Sequence, residues 1–181
     1  MNITGGIYNG RKIKTPDEKV VRPTLSKVRM SVFNTLYSIV GDFGGKSFLD
    51  MFGGSGIMGL EALSRGFEKV VVFEKNKMVF DIIRDNYKSL GLNPNVSLGD
   101  SLKLIEKQIE KFDVIYIDPP YMSDVYVTIG ENPDLFSTVV KDGTIFIFEH
   151  NEEKPFSAYE IIKQKKYGDK FLTFCKINAS K

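Results

Sequence analysis

Asp118-Pro119-Pro120-Tyr121 carries the most specific chemistry in the chain. Two successive prolines fix backbone torsions and remove two N–H donors, so the neighbouring carbonyls point in set directions. The tetrapeptide thus offers a carboxylate, a rigid carbonyl and an aromatic face together. Two acceptors can take both N–H bonds of a planar amine while a ring stacks on the heterocycle bearing it. Pro-Pro also punctuates loops that have no function. Its place after an apolar strand, facing a glycine loop, favours the chemical reading.

That glycine loop is Asp50-Met51-Phe52-Gly53-Gly54-Ser55-Gly56, where a first parallel strand should turn into a helix. Glycines let a backbone approach a ligand without a Cβ in the way. Two more acids close the next two strands, Glu74 after Val70–Phe73 and Asp100 after Val96–Leu98. A carboxylate at Glu74 can accept from both hydroxyls of a ribose, and one at Asp100 from the exocyclic amine of an adenine. Phe52, Lys75 and Ser101 are counted with them as cofactor-binding residues. Gly54-Ser55-Gly56-Ile57-Met58-Gly59 also fits G-x-G-x-x-G, with Glu74 at the distance of a dinucleotide-binding acid. The loop alone therefore admits either a nicotinamide dinucleotide or S-adenosylmethionine.

These residues need a scaffold of alternating strands and helices. Short apolar strands are expected at Ser47–Leu49, Val70–Phe73, Val96–Leu98, Val114–Ile117 and Thr144–Phe148, with helices near 57–65, 76–90, 101–110 and 133–140. Continuous apolar strands separated by helices signal a parallel sheet covered on both faces. Tyr159 to Lys165 and Phe171 to Ile177 are joined only by a short turn and read as an antiparallel hairpin at the sheet edge. Ahead of the sheet, Ile3 to Tyr8 and Arg11 to Lys14 read as a hairpin through Asn9-Gly10. Thr24 then reads as the N-cap of a helix running to Gly41.

Taken together, the motifs resemble class I S-adenosylmethionine-dependent methyltransferases acting on exocyclic amines, and more closely the RsmD-type 16S ribosomal RNA (guanine-N2)-methyltransferases. The resemblance runs through Gly10-Arg11-Lys12, Arg22-Pro23-Thr24, Val28-Arg29, Phe33-Asn34, Asp50 to Gly56, Gly59 to Gly66, Asp118 to Tyr121 and Tyr167-Gly168. It implies a Rossmann-like α/β fold with a seven-stranded, mostly parallel sheet ending in an antiparallel hairpin. A single domain over 1–181 is expected, with 1–40 as a basic extension. The implied chemistry is methyl transfer to the 2-amino group of a guanine in 16S rRNA, with Asp118, Pro119, Pro120 and Tyr121 catalytic. Asp50 and Gly54 to Gly56 would line the methionine end of the cofactor. The resemblance further implies a monomer, with 16S rRNA or the assembling small subunit as partner and no metal.

Charge is distributed to match a polyanionic partner. Residues 1–29 hold seven Lys and Arg against two acids, whereas the rest of the 181-residue chain is mildly acidic. Such an arm suits RNA, although a solvated surface segment would look the same. Arg11, Lys12, Lys14, Arg22, Thr24, Arg29 and Tyr167 are the candidate RNA contacts, Tyr167 equally well a packing residue of its hairpin. No apolar run approaches a bilayer span, and the N-terminus lacks a signal pattern, so a cytoplasmic protein is expected. One cysteine and one histidine leave little for a zinc cluster. Cys175 reads as core filler and His150 as a lone exposed histidine. Three rivals stand: an adenine-N6 methyltransferase, a nicotinamide-dependent oxidoreductase, and an RNA-binding ribosome-assembly module without catalysis.

Overall fold

The computed structural model describes residues 1–17, 24–120, 125–151 and 157–178. Arg22 and Tyr121, two of the expected site residues, lie outside that set. Seven strands form one sheet in the order β3-β2-β1-β4-β5-β7-β6. The first five, β1 (Ser47–Asp50), β2 (Lys69–Glu74), β3 (Val96–Leu98), β4 (Phe112–Ile117) and β5 (Val140–His150), run parallel. The last two, β6 (Tyr159–Tyr167) and β7 (Lys170–Ile177), pair antiparallel, and β7 docks antiparallel on β5. The Rossmann-like sheet and its edge hairpin are as the sequence predicts.

The central strands bury side chains on two faces, and each face has its own helices. On one side Phe48, Val70, Val72, Tyr116 and Ile147 pack under α1 (Ser26–Val40), α2 (Ile57–Ser64) and α3 (Lys77–Ser89). On the other, Leu49, Val71, Ile115 and Phe146 meet α4 (Ser101–Ile105) and α5 (Val125–Glu131). The α3 helix starts where the Asn76 side chain accepts from Met78 N at 2.9 Å, and it turns Val79, Ile83 and Tyr87 to the core at a four-residue spacing. α2 is buried nearly all round because the N-terminal arm covers the face turned away from the sheet. Among the described residues, no helix is long and apolar enough to cross a membrane.

Four local expectations change. The helix expected at 133–140 is instead α5 at Val125–Glu131, followed by a 3-10 turn at Pro133–Phe136 and then β5. Tyr126 and Ile129, three residues apart, bury the face of α5 despite its β-branched composition. α4 ends at Ile105, short of the expected 110. Leu25, not Thr24, is the N-cap of α1, without a side-chain bond, while Gly41 ends the helix at φ +71°. The N-terminal hairpin has a single bridge, Asn2 to Lys12, with Ile3 N donating to Arg11 O and Ile13 N to Met1 O. Its middle cannot continue the ladder, since Ile7 N and Tyr8 N donate to the Ser64 carbonyl and hydroxyl at the end of α2.

Candidate active site

Strand order reverses between β1 and β4, and in open α/β sheets ligands bind beyond the carboxyl ends of the strands at such a switch point. Both sides of this one carry an acid, Asp50 closing β1 and Asp118 following β4. A cavity of about 780 Å³ opens there, within the range of small-molecule sites. Asp50, Phe52, Gly54 and Ser55 line it from the glycine loop, Glu74 and Lys75 from the end of β2, and Asp100 and Ser101 from the end of β3. Asp118, Pro119 and Pro120 form another part of the wall, with Thr24 from the basic arm.

Asp50 is 1% exposed, and its Oδ2 has no hydrogen-bond partner among the described residues. Burial pushes its carboxyl up to about 7; the Phe52 N–H opposes this rise and the Glu74 carboxylate adds to it. A buried carboxylate oxygen left unpaired is costly, so the cavity floor is chemically suited to a cationic group. An amino-acid ammonium fits that requirement.

Glu74 takes Gly54 N at 3.0 Å and Asn76 N at 2.7 Å, which ties the glycine loop to β2 and holds the carboxylate at the rim. Each oxygen keeps acceptor capacity for a hydroxyl. Burial raises its pKa, against the backbone N–H groups that lower it. Asp100 caps α4 through Leu102 N at 3.2 Å and meets Lys75 Nζ at 3.1 Å. The hydrogen bond from Lys75 is the main cause that holds its carboxyl below the ordinary range. Ser101 donates to the Met51 carbonyl at 2.5 Å and so fixes α4 against the glycine loop.

Gly56 is off the cavity wall. Its φ is +75°, and a Cβ there would lie 2.9 Å from Ile83 Cγ2, so it turns the chain into α2 and seats it on α3. The glycine that matches the loop to the sheet is Gly53, whose Cβ would meet Val72 Cγ1 at 2.6 Å.

The candidate RNA residues divide. Arg11 and Lys12 are exposed, and exposed Lys14 has Asp85 at 3.6 Å. Arg29 is not an RNA contact. It is 1% exposed, paired with fully buried Glu61 at 3.2 Å, and donates to the Thr24 carbonyl at 2.5 Å and the Asn2 carbonyl at 2.7 Å. Its charge fixes the arm. Tyr167 hydrogen-bonds Ser31 of α1 and so braces the hairpin. His150 is likewise not exposed: fully buried, it meets Thr173 Oγ1 at 2.9 Å and stacks on Phe171. Cys175 is core filler, its thiol pushed far up by burial.

Sequence reasoning missed one group at this site. Lys170 lines the cavity and is ion-paired with Glu149, which also accepts from the Tyr116 hydroxyl at 2.6 Å. The only signal was a lysine after the Tyr167-Gly168-Asp169 turn, and it gives no hint of burial. Among the described residues, no three His, Cys, Asp or Glu side chains are placed to hold a metal ion.

A family model described as "Conserved hypothetical protein 95" matches residues 1–176. The chain is 34% identical over 181 residues to ribosomal RNA small subunit methyltransferase D of Haemophilus influenzae, covering 93% of this chain and 89% of that one. It is 32% identical to the Escherichia coli protein of the same name over 67% of this chain and 60% of that protein. The solved yhhF protein of Escherichia coli superposes with a TM-score of 0.84 at 25% identity, over 99% of each chain.

Proposed function

The chain belongs to the Conserved hypothetical protein 95 family, the RsmD family, and from that premise we propose that it is an S-adenosylmethionine-dependent methyltransferase acting on ribosomal RNA. The acceptor in this reading is the N2 amine of a guanine in 16S rRNA. The observation that carries it is the pairing, across one crevice, of a cation-seeking Asp50 floor with the Asp118-Pro119 acceptors. A nicotinamide cofactor would leave the second half of that pairing without a task.

S-adenosylmethionine supplies an electrophilic methyl group on its sulfonium sulfur. Asp50 takes its ammonium group, Glu74 its ribose hydroxyls and Asp100 its adenine amine. Guanine N2 is a weak nucleophile because its lone pair is delocalised into the ring. Hydrogen bonds from the amine to the Asp118 carboxylate and the Pro119 carbonyl favour a pyramidal nitrogen with a localised lone pair. As the nitrogen takes the methyl group, the carbon–sulfur bond breaks to leave a neutral thioether. The surplus proton on nitrogen passes to the Asp118 carboxylate or to water. Positioning and electrostatics carry the rate without a covalent enzyme intermediate. The base must leave its stack to reach the crevice, and Tyr121 supplies a replacement ring.

Asp118→Ala is expected to lower kcat by about 100-fold or more, in line with the loss of one oriented polar group at a reacting centre. Its S-adenosylmethionine Kd, read by calorimetry, should stay near wild type because Asp118 acts on the acceptor. Near-normal turnover would refute the mechanism.

A further inference from the structure

One face of the sheet carries a row of ionisable groups along the carboxyl ends of its strands. Asp50 is in register with Tyr116, and Tyr116 with Ile147. Side chains alternate faces along a strand, so Asp50, Tyr116 and Glu149 share one face, and Asp118, just past the end of β4, lines the same cavity. Glu149 is in register with Leu172, which puts Lys170 on that face as well. Side-chain bonds agree: Tyr116 donates to Glu149 Oε2 at 2.6 Å, and Lys170 is bonded to Glu149 Oε1. Asp50, Tyr116, Asp118 and Lys170 all line the cavity, and Glu149 lies buried behind them.

Glu74 adds a further negative charge beside Asp50. Tyr126 of α5 reaches the Glu149 backbone carbonyl with its hydroxyl, and His150 sits on the opposite face against Thr173. Burial, and then the adjacent Glu149 carboxylate, keep the Tyr116 hydroxyl protonated, so it serves as a donor.

The mouth thus gathers three carboxylates, Asp50, Asp118 and Glu149, around one tyrosine. A nearby cation favours the charged form of a carboxylate that sits among other negative charges. Among the described residues, Lys170 is a cation paired into this row through Glu149. We propose that Lys170, locked by Glu149, is the counter-ion of the acceptor site and keeps Asp118 a carboxylate, able to accept from the amine at neutral pH. This rests on the reading that Asp118 holds that amine. Lys170 is a positioning residue, acting on the substrate through Asp118.

The test is the pH profile of kcat, with S-adenosylmethionine Kd measured beside it. Lys170→Met is expected to move the acid limb upward by about one pH unit, with turnover recovering in alkali. Glu149→Gln removes a negative charge from the same row and should move the limb the other way, while its amide still accepts from Tyr116. Lys170→Arg keeps the cation and should hold the wild-type limb. In all three the Kd should change less than about twofold, since none of them meets the cofactor. Opposed shifts are the signature of charge, because packing damage lowers kcat equally at every pH. If Lys170→Met does not fold, the Glu149→Gln limb decides alone. Limbs that stay put overturn the proposal. Asp118→Asn, run alongside, separates the two failures. Wild-type turnover in that variant refutes the placement of the amine at Asp118, whereas an inactive Asp118→Asn with unmoved limbs refutes the counter-ion only.

Discussion

Asp50 shows how one buried group couples cofactor binding to pH. Its carboxyl stands near 7 in the folded protein against 3.8 ordinarily, burial being the main cause. The folded state therefore binds more protons than the unfolded chain across that interval, and without ligand this group makes stability fall as pH rises through it. A ligand ammonium reverses the preference, since it pairs only with the ionised form. Affinity for S-adenosylhomocysteine, read by calorimetry, should rise between about pH 5.5 and 7.5, before an α-amino group begins to lose its own proton. Asp50→Asn should bind more weakly and without that rise. A wild-type affinity independent of pH would place the ammonium elsewhere. The placement of Asp50, Glu74, Asp100 and Asp118 at the crevice was legible because each acid lies at or just past the end of a strand there. The roles of Arg29, Glu149 and Lys170 were not. Arg29 and Glu61 are 32 residues apart, Glu149 and Lys170 21 apart, and no local pattern distinguishes a paired buried charge from a solvated one.

At the level of elements, the N-terminal arm is held by a charge inside the core. Glu61 of α2 is fully buried and accepts from Thr4 N and Thr4 Oγ1 at 2.7 Å each, from Arg29 at 3.2 Å and from Arg65 at 3.1 Å. One carboxylate thus joins the arm, α1 and α2. Breaking a buried pair from one side leaves the other charge uncompensated, at a cost of about 3–5 kcal/mol. Glu61→Gln should lower the urea midpoint accordingly and expose residues 1–17 to proteolysis. An unchanged midpoint would mean that the arm is held by its apolar contacts alone. Strands β1 to β5 were legible from continuous apolar runs. The α5 helix was not, because Val125-Tyr126-Val127-Thr128-Ile129 has the composition of a strand and only tertiary packing makes it helical. The hairpin ladder failed for the same kind of reason, its N–H groups being drawn to Ser64.

For the whole molecule, the proposed function requires a mildly acidic body with a basic arm to hold RNA. The cavity mouth receives Thr24 of the arm at one side, and Arg29 ties Thr24 to Asn2, the bridge partner of Lys12, so an RNA held by Arg11 and Lys12 would lead toward the acceptor site. Phosphate contacts release counterions, with a log–log salt slope of about 0.7 per single-strand contact. Replacing Arg11, Lys12 and Lys14 together by Ala should flatten the slope for RNA by about one and a half to two. The lower figure applies if Asp85 already neutralises Lys14, whose ammonium lies 3.6 Å from it. S-adenosylmethionine affinity should be unchanged, since none of the three lines the cavity. An unaltered slope would make the arm a solvated surface. The central claim, methyl transfer to guanine N2 of small-subunit rRNA, is tested most directly by mass-spectrometric nucleoside mapping of 16S rRNA from cells with and without this protein. The account predicts one N2-methylguanosine that disappears with the protein and returns when purified protein and S-adenosylmethionine are added to the unmodified RNA or particle. An identical map in both cells, or a lost mark that proves to be N6-methyladenosine, would contradict it.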